Sequence, residues 1–165
     1  MLFDDMSRLR DEGMQAAEIA WAALSSDPAI TPISIFKAAC ATKTSEMITR
    51  LAMTDAKHHD GMMKIIEQFF ERSVGVGGQE GIDDRLAHST AEEMDKLIPI
   101  TEEAYLNNEI FARRMHTLDG IALHAAKTFG KEKEFQAVIK TMQRDFMKLI
   151  LGDITSLLTD KDASN

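Results

Sequence analysis

One cysteine, three prolines, one tryptophan and one tyrosine are all that the 165 residues hold of these types. The lone thiol, Cys40, has no cysteine partner for an internal disulfide or a thiolate metal site, which removes disulfide-stapled secreted folds and zinc fingers together. It reads as a buried thiol in an apolar register, where burial raises a thiol's pKa and blunts it as a nucleophile. No Gly-x-Ser-x-Gly is present to suggest another nucleophile. Aromatic residues make up only 6% of the chain, so a β architecture has little to build on.

Long apolar runs are missing too. No stretch approaches the roughly eighteen residues of a membrane span, and the opening MLFDDMSRLR holds acids where a secretory signal carries basic residues and an apolar run. The chain is therefore expected in the cytoplasm, with no membrane span. Positive charge is also short: 19 Lys and Arg face 27 Asp and Glu, a formal −8, and the cations lie scattered among acids. Such a surface repels phosphate backbones, so nucleic acid is not an expected partner.

What the sequence has in quantity is Ala, Leu, Met, Ile, Lys and Glu, which lose little rotamer freedom in a helix, with apolar positions recurring at three- and four-residue spacing. The fold class predicted is all-α: an antiparallel four-helix bundle with one short extra helical segment. Residues 1–160 form a single domain in this reading, and 161–165 a frayed tail. The first helix runs from Phe3 to about Leu24 with an inner stripe of Met6, Leu9, Gly13, Ala16, Ala20 and Ala23, and SSDPAITP ends it, because Pro28 and Pro32 disfavour helix before them. A long second helix is predicted from Ile33 to about Ser73, roughly 60 Å if straight, with Gly61 as its bend. GVGGQEG then connects flexibly, lacking the lysine of a phosphate-binding loop.

Residues 82–98 give the short extra segment, stopped by Pro99. Thr101 is placed as N-cap of a third helix with Glu102 and Glu103 in its positive first turn, its inner stripe being Phe111, Met115, Leu118, Ala122 and Ala125. Gly130 closes it. The fourth helix, about Lys131 to Thr159, is expected to bury Phe135, Ile139, Met142, Phe146, Ile150 and Leu157.

TDAKHHDGMM, residues 54–63, is where acids, histidines and methionines crowd together. Asp55 and His58 stand three apart and Asp55 and His59 four apart, so either pair shares a helix face. An acid three residues before a histidine is the spacing of carboxylate-bridged metal bundles. Asp55, His58 and His59 are therefore the metal candidates, with iron or another transition metal as the alternative cofactor. A second half-site is missing, since Arg85, Arg113 and Ile121 stand three residues before His88, His116 and His124. The competing reading makes the histidines structural partners of Asp55 or Asp60, with no cofactor and no catalysis. His116 and His124 flank the third helix stripe as boundary residues.

Eleven methionines, among them Met47, Met62, Met115, Met142 and Met147, fall mostly at core spacing. The second helix is apolar on more than one side, through Ile48, Met53, Met63, Ile66 and Phe70, which leaves surface for a partner helix or a second copy. The function expected is a non-catalytic, homo-oligomeric bundle working through protein–protein contact, with Ile66, Phe69 and Phe70 as the contact surface. A ferritin-like or hemerythrin-like metal or cofactor bundle is the alternative. A third expectation rests on resemblance: FDDMSRLRDEGMQAAEIAWAAL followed by SDP is similar in its helix-then-break cadence to phasins, which implies a storage-granule coat protein.

Overall fold

The computed structural model describes residues 2–78 and 84–163, and among them the protein is all-helical, with seven α-helices and no strand. These are α1 (Leu2–Ser25), α2 (Pro32–Ala52), α3 (His59–Gly77), α4 (Asp84–Leu97), α5 (Glu102–Leu106), α6 (Asn108–Thr128) and α7 (Glu132–Ala163), with one 3-10 turn at Ala56–His58. No helix among the described residues is long and apolar enough to cross a membrane.

Local chemistry sets the boundaries. Asp27 accepts a hydrogen bond from the Ala29 amide beside Pro28, and Thr31 then caps α2 by accepting from the Ser34 amide, with Pro32 in the first turn, where its missing N–H costs nothing. At the end of α6, Gly130 takes φ +78 and the Lys131 amide reaches back to Ala126, the closure that glycine makes without steric penalty.

The long second helix is not continuous. It stops at Ala52, turns through Met53, Thr54 and Asp55, and resumes as α3, which packs back against α2. The break falls at Thr54 and Asp55, ahead of Gly61. Thr54 donates its hydroxyl to Leu51 O, and Asp55 is extended (φ −65, ψ 145), so short polar side chains compete with the helix ladder as such residues do. Gly61 sits inside α3 for another reason: a Cβ there would stand 2.9 Å from Leu149 of α7. Similarly, the helix expected to start at Thr101 is two helices. Thr101 stands at the N-cap of only the five-residue α5, with no side-chain capping bond, and Asn107 starts α6 by accepting from the amides of Glu109 and Ile110. At the other end of α3, helix extends through Gly75 and Gly77 to Gly78, so part of the expected flexible connection is helical, while residues 79–81 of it lie outside the described residues. Helix α7 continues to Ala163 through most of the expected frayed tail, and residues 164–165 lie outside the described residues.

Helix α6 packs against α1, α2, α5 and α7; α2 packs against α3 and α4 as well; and α3 reaches α7. The core has two unlike ends. Phe36 lies edge-on to Phe129 and Phe135 at centroid distances of 5.4 and 4.9 Å, and Phe69 tilts against Phe135 at 6.3 Å, filling one end with rings. Burying each of Phe36, Phe69 and Phe135 contributes about 1.5–3 kcal/mol. Toward the other end of α2, α3, α6 and α7 the inward residues are Met47, Met62, Met115 and Met142, and there the packing opens.

Where helix α1 meets α6 the residues are small. Its buried positions are Leu9, Gly13, Ala17, Ala20 and Leu24; Met6 is 53% exposed, so the stripe is rotated by about one residue from the expected one. A Cβ on Gly13 would lie 2.6 Å from that of His116, and one on Gly120 would lie 2.5 Å from that of Ala17. On α7 the inward set is Phe135, Val138, Ile139 and Met142, while Ile150 is exposed and the side chain of Leu157 lies outside the described residues. The Gly120 contact decides one substitution. Gly120→Ala gains about 1 kcal/mol of helix propensity but overpacks a rigid crossing at about 1–3 kcal/mol. Chemical denaturation should find the variant less stable than wild type, and a gain in stability would refute the close crossing.

Candidate functional site

The open end of the core is a cavity of about 540 Å³ lined from α2, the 53–58 turn, α3, α6 and α7. Its walls are chiefly methionine and aromatic side chains: Met47, Met62, Met115, Met142, Phe111 and Phe146. Methionine is unbranched and polarizable, so such a wall reshapes around whatever it touches.

Ionised groups reach the inner wall. Lys43 Nζ lies 2.5 Å from Asp119 Oδ1, both side chains buried, and stands 4.5 Å from the centroid of the Phe69 ring. One turn along α2, Glu46 receives Arg114 Nε at 2.8 Å on both carboxylate oxygens, and Arg114 continues to Asp95 at 2.9 Å and to the carbonyl of Ile98. Burial pushes the Glu46 carboxyl up from its ordinary value, against the pull of Arg114. His116 lines the cavity too, and burial holds its imidazole below its ordinary 6.5, with Asp119 pulling upward and Lys43 and Arg10 pushing down.

Thr54, Asp55, Lys57, His58 and His59 form part of the rim. Asp55 is exposed at the start of the 3-10 turn, and His58 and His59 are half-buried and line the cavity. His59 Nε2 lies 2.9 Å from the carbonyl oxygen of Thr54, which makes that nitrogen a donor and withdraws it from metal binding. Among the described residues no group of three or more His, Cys, Asp and Glu is placed to hold a metal ion. The proposed contact residues divide: Ile66 and Phe69 belong to the core, exposed by 2% and 1%, and only Phe70, at 39%, presents surface. Cys40 is buried, its thiol pushed up to about 12 by desolvation, with a hydrogen bond from Ser73 acting the other way. His124 stacks on Trp21, and His88 meets Glu92 on the surface.

No family model, curated protein or solved structure matches this chain. Its site stands on its own residues.

Those residues include several that pattern reading passed over. Lys43 occupies the core register between Cys40 and Met47, and Asp119 follows Leu118 in the inner face of α6. The seven-residue gap in the apolar stripe from Cys40 to Met47 was the available signal: a charge standing where a core residue is due needs an opposite charge facing it. Removing one member should expose that dependence. Lys43→Met leaves Asp119 buried and unmatched and is expected to cost about 3–5 kcal/mol, whereas Lys43→Met with Asp119→Leu recovers most of it. Urea denaturation of the three proteins reads this directly, and a single variant within about 1 kcal/mol of wild type would count against a buried pair.

Proposed function

We propose that this protein is a non-catalytic binding protein that takes a small apolar molecule into the methionine-lined cavity. The observation that carries the reading is the cavity itself, about 540 Å³, open at its mouth and lined from four helices. Ordinary ligand pockets span about 300–1,000 Å³ and combine apolar walls with a few polar groups, which is the composition here. Lys43 and Asp119 neutralise one another at the inner wall, so neither is a ready acid or base for chemistry. In this reading α2, α3, α7 and α6 form a four-helix bundle, each packed on the next in that circuit, with α1 and α4 added around it as parts of one domain.

A neutral fluorescent naphthylamine is a suitable probe because its emission rises on leaving water. Saturable one-to-one binding is expected, weakened roughly tenfold or more by Ala112→Trp, which places an indole in the cavity from α6. Non-saturable binding, or equal binding by a well-folded Ala112→Trp, would sink the proposal.

A second reading, self-association, is favoured by a separate observation. Met147, Ile150 and Leu151 are exposed by 50%, 45% and 47% on α7, and their spacing puts them on one helix face. A second copy covering this stripe would place the contact on α7, away from the α3 surface expected from sequence. Sedimentation should then show a dimer that Ile150→Glu with Leu151→Glu converts to monomer. A wild-type monomer across the concentration range would discard it.

A further inference from the structure

The cavity's rim differs in sign from the rest of the molecule. The chain carries −8, yet the lining holds Lys43, Arg50 and Lys57 against Asp55 and Asp119, one cation in excess. Lys43 and Asp119 cancel within, which leaves the positive charge of the lining with Arg50 and Lys57 toward the mouth, Asp55 beside them.

Arg50 is the residue that focuses it. It is half-buried at the end of α2, and its partners are neutral: its Nη2 donates to the Asn108 side-chain oxygen, and its guanidinium lies 5.4 Å from the centroid of the Phe111 ring. These two contacts hold the planar group in place without cancelling its charge. A guanidinium so held offers a fork of donors that matches a carboxylate or phosphate.

The start of α3 adds a second, independent attraction. This 19-residue helix begins at His59 with no side-chain hydrogen bond capping it, and His58, His59 and Met62 of this end line the cavity. The Ala56 carbonyl takes the His59 amide, and the dipole of the remaining first turn favours negative charge there. Asp60 answers part of that field from the exposed side and does not line the cavity.

We propose that the ligand is a single-chain amphiphile with one anionic head, a carboxylate or a phosphate, its tail among Met47, Met115 and Met142 and its head between Arg50 and the start of α3. The inference rests on the cavity being a binding site and adds the class of molecule. A cationic head meets Arg50 as like charge, and a neutral one leaves the guanidinium unanswered.

Isothermal titration of the full chain with decanoate, decyl phosphate, decanol and decyltrimethylammonium, each kept below its micelle concentration, tests this. The anions should bind at least roughly tenfold tighter than decanol, and the tighter of the two identifies the head group. Arg50→Gln should bring both anions to the level of decanol measured on the same variant, while Lys133→Gln on the exposed face of α7 leaves all four affinities as in wild type. Decanol binding as tightly as the anions would overturn the inference and leave the cavity reading standing. An anion preference that survives Arg50→Gln overturns the placement of the head. If no decyl compound binds, the cavity reading falls with it.

Discussion

Four charges buried between two helices set the terms for the rest of the protein. Lys43 and Glu46 on α2 meet Asp119 and Arg114 on α6, and each has its opposite within hydrogen-bonding distance. Desolvating an ion costs several kcal/mol, and only close, well-oriented pairing offsets it. Apolar side chains tolerate a slide of an ångström or two; these pairs do not. They also run in opposite directions along the two helices, Lys43 before Glu46 and Asp119 after Arg114, so both can form only in one register. With α2 and α6 locked, the position of the cavity wall follows, because Met47 and Met115 ride on the same two helices.

That lock lies between two kinds of interior. Rings fill the end at Phe36, Phe69, Phe129 and Phe135, and methionines line the hollow end, with Lys43 seated over Phe69 at the boundary. Edge-to-face rings are rigid and specific, and each such pair adds about 0.5–1.5 kcal/mol beyond its buried area. Thioether side chains give up that specificity for adaptability. The division keeps a deformable pocket from loosening the whole core, since the structural end does not share its side chains.

Helical content was legible in the sequence because it depends on short-range properties: rotamer freedom, apolar spacing, and the proline and glycine stops at Pro28, Pro32, Pro99 and Gly130. The break after Ala52 was not, because Thr54 and Asp55 disfavour helix only mildly and the hydrogen bond from Thr54 to Leu51 is small beside the packing that the break permits. Gly61 drew attention as the bend, yet its missing Cβ serves the approach of Leu149. The site was half legible. TDAKHHDGMM does mark its rim, but Arg50, Asp119 and His116 come from other helices, and only the fold brings them to the same space. Ile66 shows the reverse error: an apolar residue off one stripe of a continuous helix looks spare, and once the helix folds back it is core, as is Phe69, which was also expected at the contact surface.

The crossing of α1 over α6 carries a last consequence. Gly13, Ala17 and Gly120 bring the two helices into close contact at the middle of the crossing, while Arg8 with Glu109, Glu12 with Arg113 and Trp21 with His124 span its sides. Dispersion fades within about an ångström of the optimum, so partial withdrawal of α1 forfeits the packing at this crossing first. The docking of α1 accordingly depends on that close crossing, and its amides are expected to exchange together when the crossing opens.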